Sequence, residues 1–253
     1  MQWETVSMKI EPYSSGRFKN YLEQKSSEFK ALIYQHQVSS RYFDKNDEIL
    51  RQGEQLQYLY VVPAGRVSMS ISAANGRRFQ LGEVNCDYHI FGEMEFFTQT
   101  PCQWNVVADE HMQVDVICIQ KLSEALHENP EMMFFFASAL AEDYQDSMGI
   151  YTNRLLHSIT YNIAYDLLVQ SHTNTVLGGF DKVNQEAERF GTSSRVYRRA
   201  VKDLLDKGFI KKGQQGLEII DQQALQAFID SYEWNSKAPR LRGLVFYSTE
   251  LNQ

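Results

Sequence analysis

The chain has 253 residues, 43% hydrophobic and 23% charged. This composition excludes a disordered chain and allows one or two domains with cores large enough to need no disulfide or metal staple. Its 25 basic and 32 acidic residues leave a net charge of −7, which argues against nucleic acid only until the distribution of charge is considered.

The longest nearly apolar run, Met132–Ala141, is about half the length of a membrane span, so no transmembrane helix is expected. The opening MQWETVSMKI has no basic stretch leading into an apolar one, so no secretory signal is expected. Cys86, Cys102 and Cys118 show no CxxC spacing, which fits buried or idle thiols in a reducing cytoplasm.

Residues 1–38 read as a polar helical segment interrupted at Ser14-Ser15-Gly16, with Phe18, Leu22, Phe29, Leu32 and Ile33 near helical spacing. It is expected to cover the domain that follows. From about 40 to 120 the period is two. Val67, Met69 and Ile71 alternate with Ser68, Ser70 and Ser72, and Phe79 and Leu81 alternate with Arg78 and Gln80. Asn75-Gly76 between these runs predicts a hairpin in which both residues tolerate positive φ. Val114 to Ile119 is another strand, and Gly53, Gly65, Gly76, Gly82 and Gly92 punctuate the region. Short strands so spaced predict an antiparallel sandwich or barrel.

From Pro130 the rhythm is helical. Met133, Ala137, Leu140, Tyr144, Met148, Tyr151 and Leu155 form one stripe along a helix of about 25 residues. A stripe of this length is either packed on its own domain or the seam of a homodimer, and the dimer is the favoured reading. A second helix, Ile159–Val169, leads to a loop through His172–Thr175 and Gly178-Gly179.

Basic charge gathers late in the chain. Residues 189–212 hold Arg189, Arg195, Arg198, Arg199, Lys202, Lys207, Lys211 and Lys212 against Asp203 and Asp206, a candidate footprint for a polyanion. Asn184–Phe190 predicts a short helix ended by Gly191. Thr192 or Ser193 can cap the next helix, whose buried face reads as Val196, Ala200, Leu204 and Leu205, with Ser194, Arg195, Arg198, Arg199 and Lys202 off it. Gly208 ends that helix, and Ile210 and Leu217–Ile220 flank Gly213-Gln214-Gln215-Gly216 as a two-stranded wing with Lys211 and Lys212 at its base. This order predicts a winged helix-turn-helix binding double-stranded DNA, with Thr192, Ser193, Ser194, Arg195, Arg198, Arg199, Lys202, Lys211 and Lys212 as its contacts.

Taken in order, several motifs resemble the CRP/FNR superfamily of bacterial transcriptional regulators from about residue 40 to about 222. They are Phe43-x-Lys45, Ile49-x-x-Gln52-Gly53-Glu54, Leu59-Tyr60-Val61-Val62-x-x-Gly65-x-Val67, Phe91-Gly92-Glu93-Met94, Asn129-Pro130-Glu131 and the winged helix-turn-helix. The resemblance implies an α+β chain in five parts. These are a helical segment (1–38), a cyclic-nucleotide-binding-like sensor (39–128), a dimerisation helix (129–158), a winged helix-turn-helix (159–235) and a C-terminal tail of no evident role (236–253). The sensor would be a double-stranded β-helix, the jelly-roll-like β-roll. It also implies a cytoplasmic homodimer on a pseudo-palindromic operator, with RNA polymerase a further candidate partner.

Departures from the family bear on the effector. Gly92, Glu93, Met94, Gln103 and Trp104 are the candidate pocket residues. In cyclic-AMP-binding members an Arg-Ser/Thr-Ala run follows Gly-Glu-Leu. Here Gln103-Trp104-Asn105 stands in its place, so the cyclic phosphate has no cation and Trp104 fills its space. Cyclic AMP is therefore not the expected effector, and Gly92 and Glu93 can instead serve a turn of the roll. Iron–sulfur members use a cysteine group near the N-terminus, which this chain lacks, and Cys86-x-x-His89 is a weak signal for haem or metal. No cofactor and no metal site is expected. On the reading helix Arg199 matches the family's final arginine, Arg195 replaces its glutamate, and Glu186 stands where relatives carry an aliphatic residue.

Alternatives are a redox- or small-ligand-responsive regulator using Cys86, Cys102 and Cys118 or the β-roll pocket, and a nucleotide-binding regulatory module of another protein. No GxSxG, P-loop, HExxH or paired-carboxylate constellation supports an enzyme.

Overall fold

The computed structural model describes residues 8–10, 16–76, 78–173, 183–213 and 216–233. The sensor half is a rolled antiparallel sheet of seven strands: β1 (Met8–Lys9), β2 (Gln37–Phe43), β3 (Glu48–Leu50), β4 (Tyr58–Ser72), β5 (Arg78–Phe91), β6 (Asn105–Ala108) and β7 (Met112–Cys118). The long strand β4 organises it. Tyr58–Val61 pair with β7, Val67–Ser70 pair with β6, and β5 runs beside almost the whole strand.

Leu59, Tyr60, Val61 and Val62 are all buried because β4 serves a core on each face. Tyr60 and Val62 join Val67, Met69, Val84, Val106, Val114 and Val116 inside the roll. Leu59 and Val61 face α1 (Lys19–Gln35), α3 (Ile119–Glu128) and α4 (Met133–Leu156). There Phe29 of α1 stacks on Phe135 of α4, with ring centroids 4.1 Å apart. Asp115 ties α1 and β2 to this sheet by accepting hydrogen bonds from Tyr34 (3.1 Å), Gln37 (3.0 Å) and Ser40 (2.7 Å).

Four local expectations need correction. Met8–Lys9 lie in a strand paired with β5, within a segment expected to be helical. The β4–β5 register shifts where Met69 faces Gly82 and Ser70 faces Gln80, leaving Leu81 as the extra residue of a bulge in β5; beside it Ser70 is buried and Ile71 only half-buried. The hairpin closes through a bond from Gly76 N to Ala73 O (2.9 Å), and Gly76 alone of the Asn-Gly pair has positive φ. The strand ends at Cys118, and Ile119 opens α3.

The second half is helical. A 3-10 turn at Pro130–Met132 leads into α4, and α5 (Ile159–Thr173) follows. Then come α6 (Val183–Arg189), α7 (Ser194–Asp206), β8 (Ile210–Gly213), β9 (Gly216–Ile219) and α8 (Gln222–Glu233). Tyr161, Ala164 and Leu168 of α5, Ala187 of α6, Leu204 of α7, Ile210 of β8 and Leu225 and Ile229 of α8 make its core. The Gly178-Gly179 loop, Gln214-Gln215 and the 236–253 tail lie outside the described residues.

Candidate nucleic-acid interface and sensor pocket

α6 and α7 are joined by a short turn at Gly191, whose φ of +62° is the left-handed conformation that glycine adopts without strain. Ser193 caps α7: its hydroxyl accepts from the Val196 amide at 3.4 Å. Ser194 donates to Asn184 of α6, tying the first turn of α7 to the preceding helix. The buried face of α7 is Tyr197, Ala200, Val201 and Leu204. Val196, expected on that face, is 44% exposed, because Tyr197 takes the inward position.

Arg195, Arg198, Arg199 and Lys202 are all exposed on α7, and none has an ion pair within 4 Å among the described residues. Ser193 is exposed beside them, and Thr192 and Ser194 are half-buried. On the wing, Lys211 and Lys212 are exposed, with Lys211 paired to Glu218 at 3.0 Å.

Two other cations of the region are matched internally. Lys207 pairs with Asp203 on α7. Arg189 is buried between Asp166 of α5 and Glu186 of α6. Burial opposes its charge, but the two carboxylates outweigh burial and raise its pKa. Glu186, unusual in the sequence, is explained as half of that pairing. Asp166 has no sequence signal that would link it to Arg189.

In the sensor, Gly92 has φ +94° and caps α2 (Glu93–Thr98). A Cβ at Gly92 would fall 2.7 Å from Leu56, so both conformation and space demand glycine. Glu93 is only 4% exposed. Burial, helped by the nearby charge of Asp143 on α4, pushes its carboxyl up to about 8. Burial and the neighbours Asp146 and Glu142 push Asp143 up to about 7. Met94 is half-buried and Gln103 exposed. Gln103 donates its backbone N–H to buried Glu95 at 3.0 Å, and Trp104 packs against the roll's interior. Sequence reading missed Asp143, which shares a helix with the apolar stripe but lies on a different face, and Glu95.

Residues 40–129 match the family of the cyclic nucleotide-binding domain. Among solved structures, the c-di-GMP responsive regulator CLP of Xanthomonas campestris is 16% identical, with TM-score 0.66, covering 77% of this chain and 99% of its own. A CooA mutant from Carboxydothermus hydrogenoformans is 16% identical, with TM-score 0.62, covering 88% and 99%. A CRP/FNR-family transcriptional regulator of Thermus thermophilus is 18% identical, with TM-score 0.59, covering 76% and 98%. This is the CRP/FNR fold. No curated protein matches the chain.

Within the CRP/FNR fold, α4 shows two unlike faces. Met132 and, on α4, Phe135, Phe136 and Ala139 are buried against the sensor core. Met133, Ala137, Tyr144, Met148, Tyr151 and Leu155 are exposed and Leu140 half-buried, with Tyr144 at 67% and Leu155 at 84%. The stripe read from the sequence is thus the side of α4 turned away from its own domain.

The helix-turn-helix also lies against the hairpin of the roll. The Arg154 guanidinium of α4 lies 5.2 Å over the ring of Phe79 in β5 and 5.8 Å over Phe190. A Cβ on Gly191 would lie 3.7 Å from the Phe79 ring.

Burial pushes the Cys86 thiol up to about 12 and the Cys102 thiol up to about 11. Since the thiolate is the reactive form, burial lowers the reactivity of both. His89 is buried, with Nδ1 accepting from the Asp87 amide at 2.8 Å. Among the described residues, no group of three or more His, Cys, Asp or Glu side chains is placed to hold a metal ion, and no helix is long and apolar enough to cross a membrane.

Proposed function

We propose that this chain is a sequence-specific DNA-binding transcription regulator acting as a homodimer. The observation that carries the reading is α7: a capped helix with Arg195, Arg198, Arg199 and Lys202 exposed and unpaired on one side and an apolar core on the other. Arginine's planar fork can bond bidentately to a guanine edge, and cations on the wing favour phosphates. The overall charge of −7 sharpens the docking, because acidic surfaces repel DNA while the basic helix faces it.

The exposed stripe of α4 supports a dimer through Met133, Ala137, Leu140, Tyr144, Met148, Tyr151 and Leu155. A symmetric pair sets two reading helices about one helical turn of DNA apart. The functional parts are a sensor (39–128), a dimer helix (129–158) and a reader (159–235). Cyclic AMP does not suit this sensor: Gln103 and Trp104 stand where its phosphate would need a cation.

Selection of bound duplexes from a random library, followed by footprinting, tests the reading. Enrichment of a pseudo-palindromic site is expected. Equal binding to all sequences, or none, overturns it.

A further inference from the structure

The exposed face of α7 is not wholly polar. Val196 is the one apolar residue among the exposed positions of that helix, beside Arg195, Arg198, Arg199, Lys202 and Asp206. It adds nothing to the domain core, which Tyr197, Ala200, Val201 and Leu204 fill. Its position is fixed by the start of the helix. The Val196 amide donates to the Ser193 cap, and the side chain of Ser194, two residues earlier, is tied to Asn184. A β-branched side chain in a helix is also stiff at χ1, so little freedom is lost when it makes a contact.

Val196 lies in the first turn of α7, the part of a reading helix that enters the major groove first. Arg195 precedes it, and Arg199 follows one turn later. Of the groups the four bases show in that groove, the apolar one is the 5-methyl of thymine. We infer that Val196 reads a thymine methyl, in the same half-site as the base edges reached by Arg195 and Arg199. This rests on the DNA-reading function proposed above. It makes Val196 a specificity-determining residue, one that discriminates by shape and apolar contact rather than by hydrogen bonding.

The test uses the full chain and the site enriched from a random duplex library. Each thymine of a half-site is replaced in turn by deoxyuracil, which lacks only the 5-methyl. One thymine per half-site is expected whose demethylation weakens binding by about three- to fivefold, the scale of one buried methyl group. Val196→Ala should lose the same factor on the thymine site and nothing further on the uracil site. Val196→Thr, which keeps one methyl in place, should retain part of the discrimination. Because Val196 is exposed, neither variant should alter thermal unfolding. An unchanged uracil effect in Val196→Ala, or no thymine whose methyl matters, overturns the inference while leaving DNA reading intact. Failure to enrich any site removes both.

Discussion

Arg189 of α6 donates to Asp166 of α5, 23 residues earlier, at a position where both are largely shielded from water. This pair, with Glu186, joins two helices of the reading domain through charge. Removing one partner leaves the others buried and uncompensated, at a cost of about 3–5 kcal/mol. Arg189→Met should therefore lower the melting temperature of the reading domain. It should leave the salt dependence of any residual DNA binding unchanged, because Arg189 is buried and already paired with two carboxylates. Calorimetric scans and binding at several salt concentrations check both parts.

Arg199→Ala should weaken the preferred site far more than random DNA, by roughly 1–3 kcal/mol. Lys212→Ala should weaken both alike and lower the salt slope by about 0.9. Lys211 is already paired with Glu218, so Glu218→Gln should tighten binding to all sequences by freeing that cation. Equal losses for Arg199→Ala on both duplexes would recast it as a phosphate clamp.

Replacing Leu140 and Tyr144 with aspartate places charge in the stripe that α4 turns away from the sensor core. Light scattering should then show monomers, and binding to the palindrome should be lost. The fold of each chain should persist, since neither side chain is fully buried.

Stability should depend on pH through the buried acids. Glu93, at about 8, and Asp143, at about 7, hold protons in the folded chain that an unfolded chain releases. Stability therefore falls as pH rises from the ordinary carboxylate range to about 8. His89, pushed by burial down to about 3, and His157, also lowered by burial, act oppositely. Their contribution is complete by about pH 6.5, the ordinary histidine value. Between pH 6.5 and 8 the carboxyls dominate, so the melting temperature should decline across that window. Glu93→Gln should flatten the decline.

Phe79→Ala should loosen the contact between hairpin and helix-turn-helix. Faster hydrogen exchange is expected in α6, with little change inside the roll, because Phe79 sits outside its interior cluster.

The sequence made some features of this molecule legible and hid others for identifiable reasons. The α4 stripe was readable because a helix facing away from its core keeps a clean period. The Gly191 turn and the Ser193 cap were readable because each depends on a local conformation. Val196 was misplaced because a valine at helical spacing reads as core, and nothing local shows that Tyr197 would take the inward position. The Ser70 shift was hidden because a bulge leaves no compositional trace. Asp166–Arg189 and Glu93–Asp143 were invisible because each pairs residues brought together only by tertiary packing.

Strand β4 carries one more consequence, for how the chain assembles. It is hydrogen-bonded to β5, β6 and β7, whose residues extend from Arg78 to Cys118, and its two faces complete two separate cores. Little of the roll can be stable before these distant segments have met, and such non-local pairings are slow to form. The reading domain relies on contacts between neighbouring helices. On refolding, helical signal should return early, while burial of Trp104 marks the late closure of the roll.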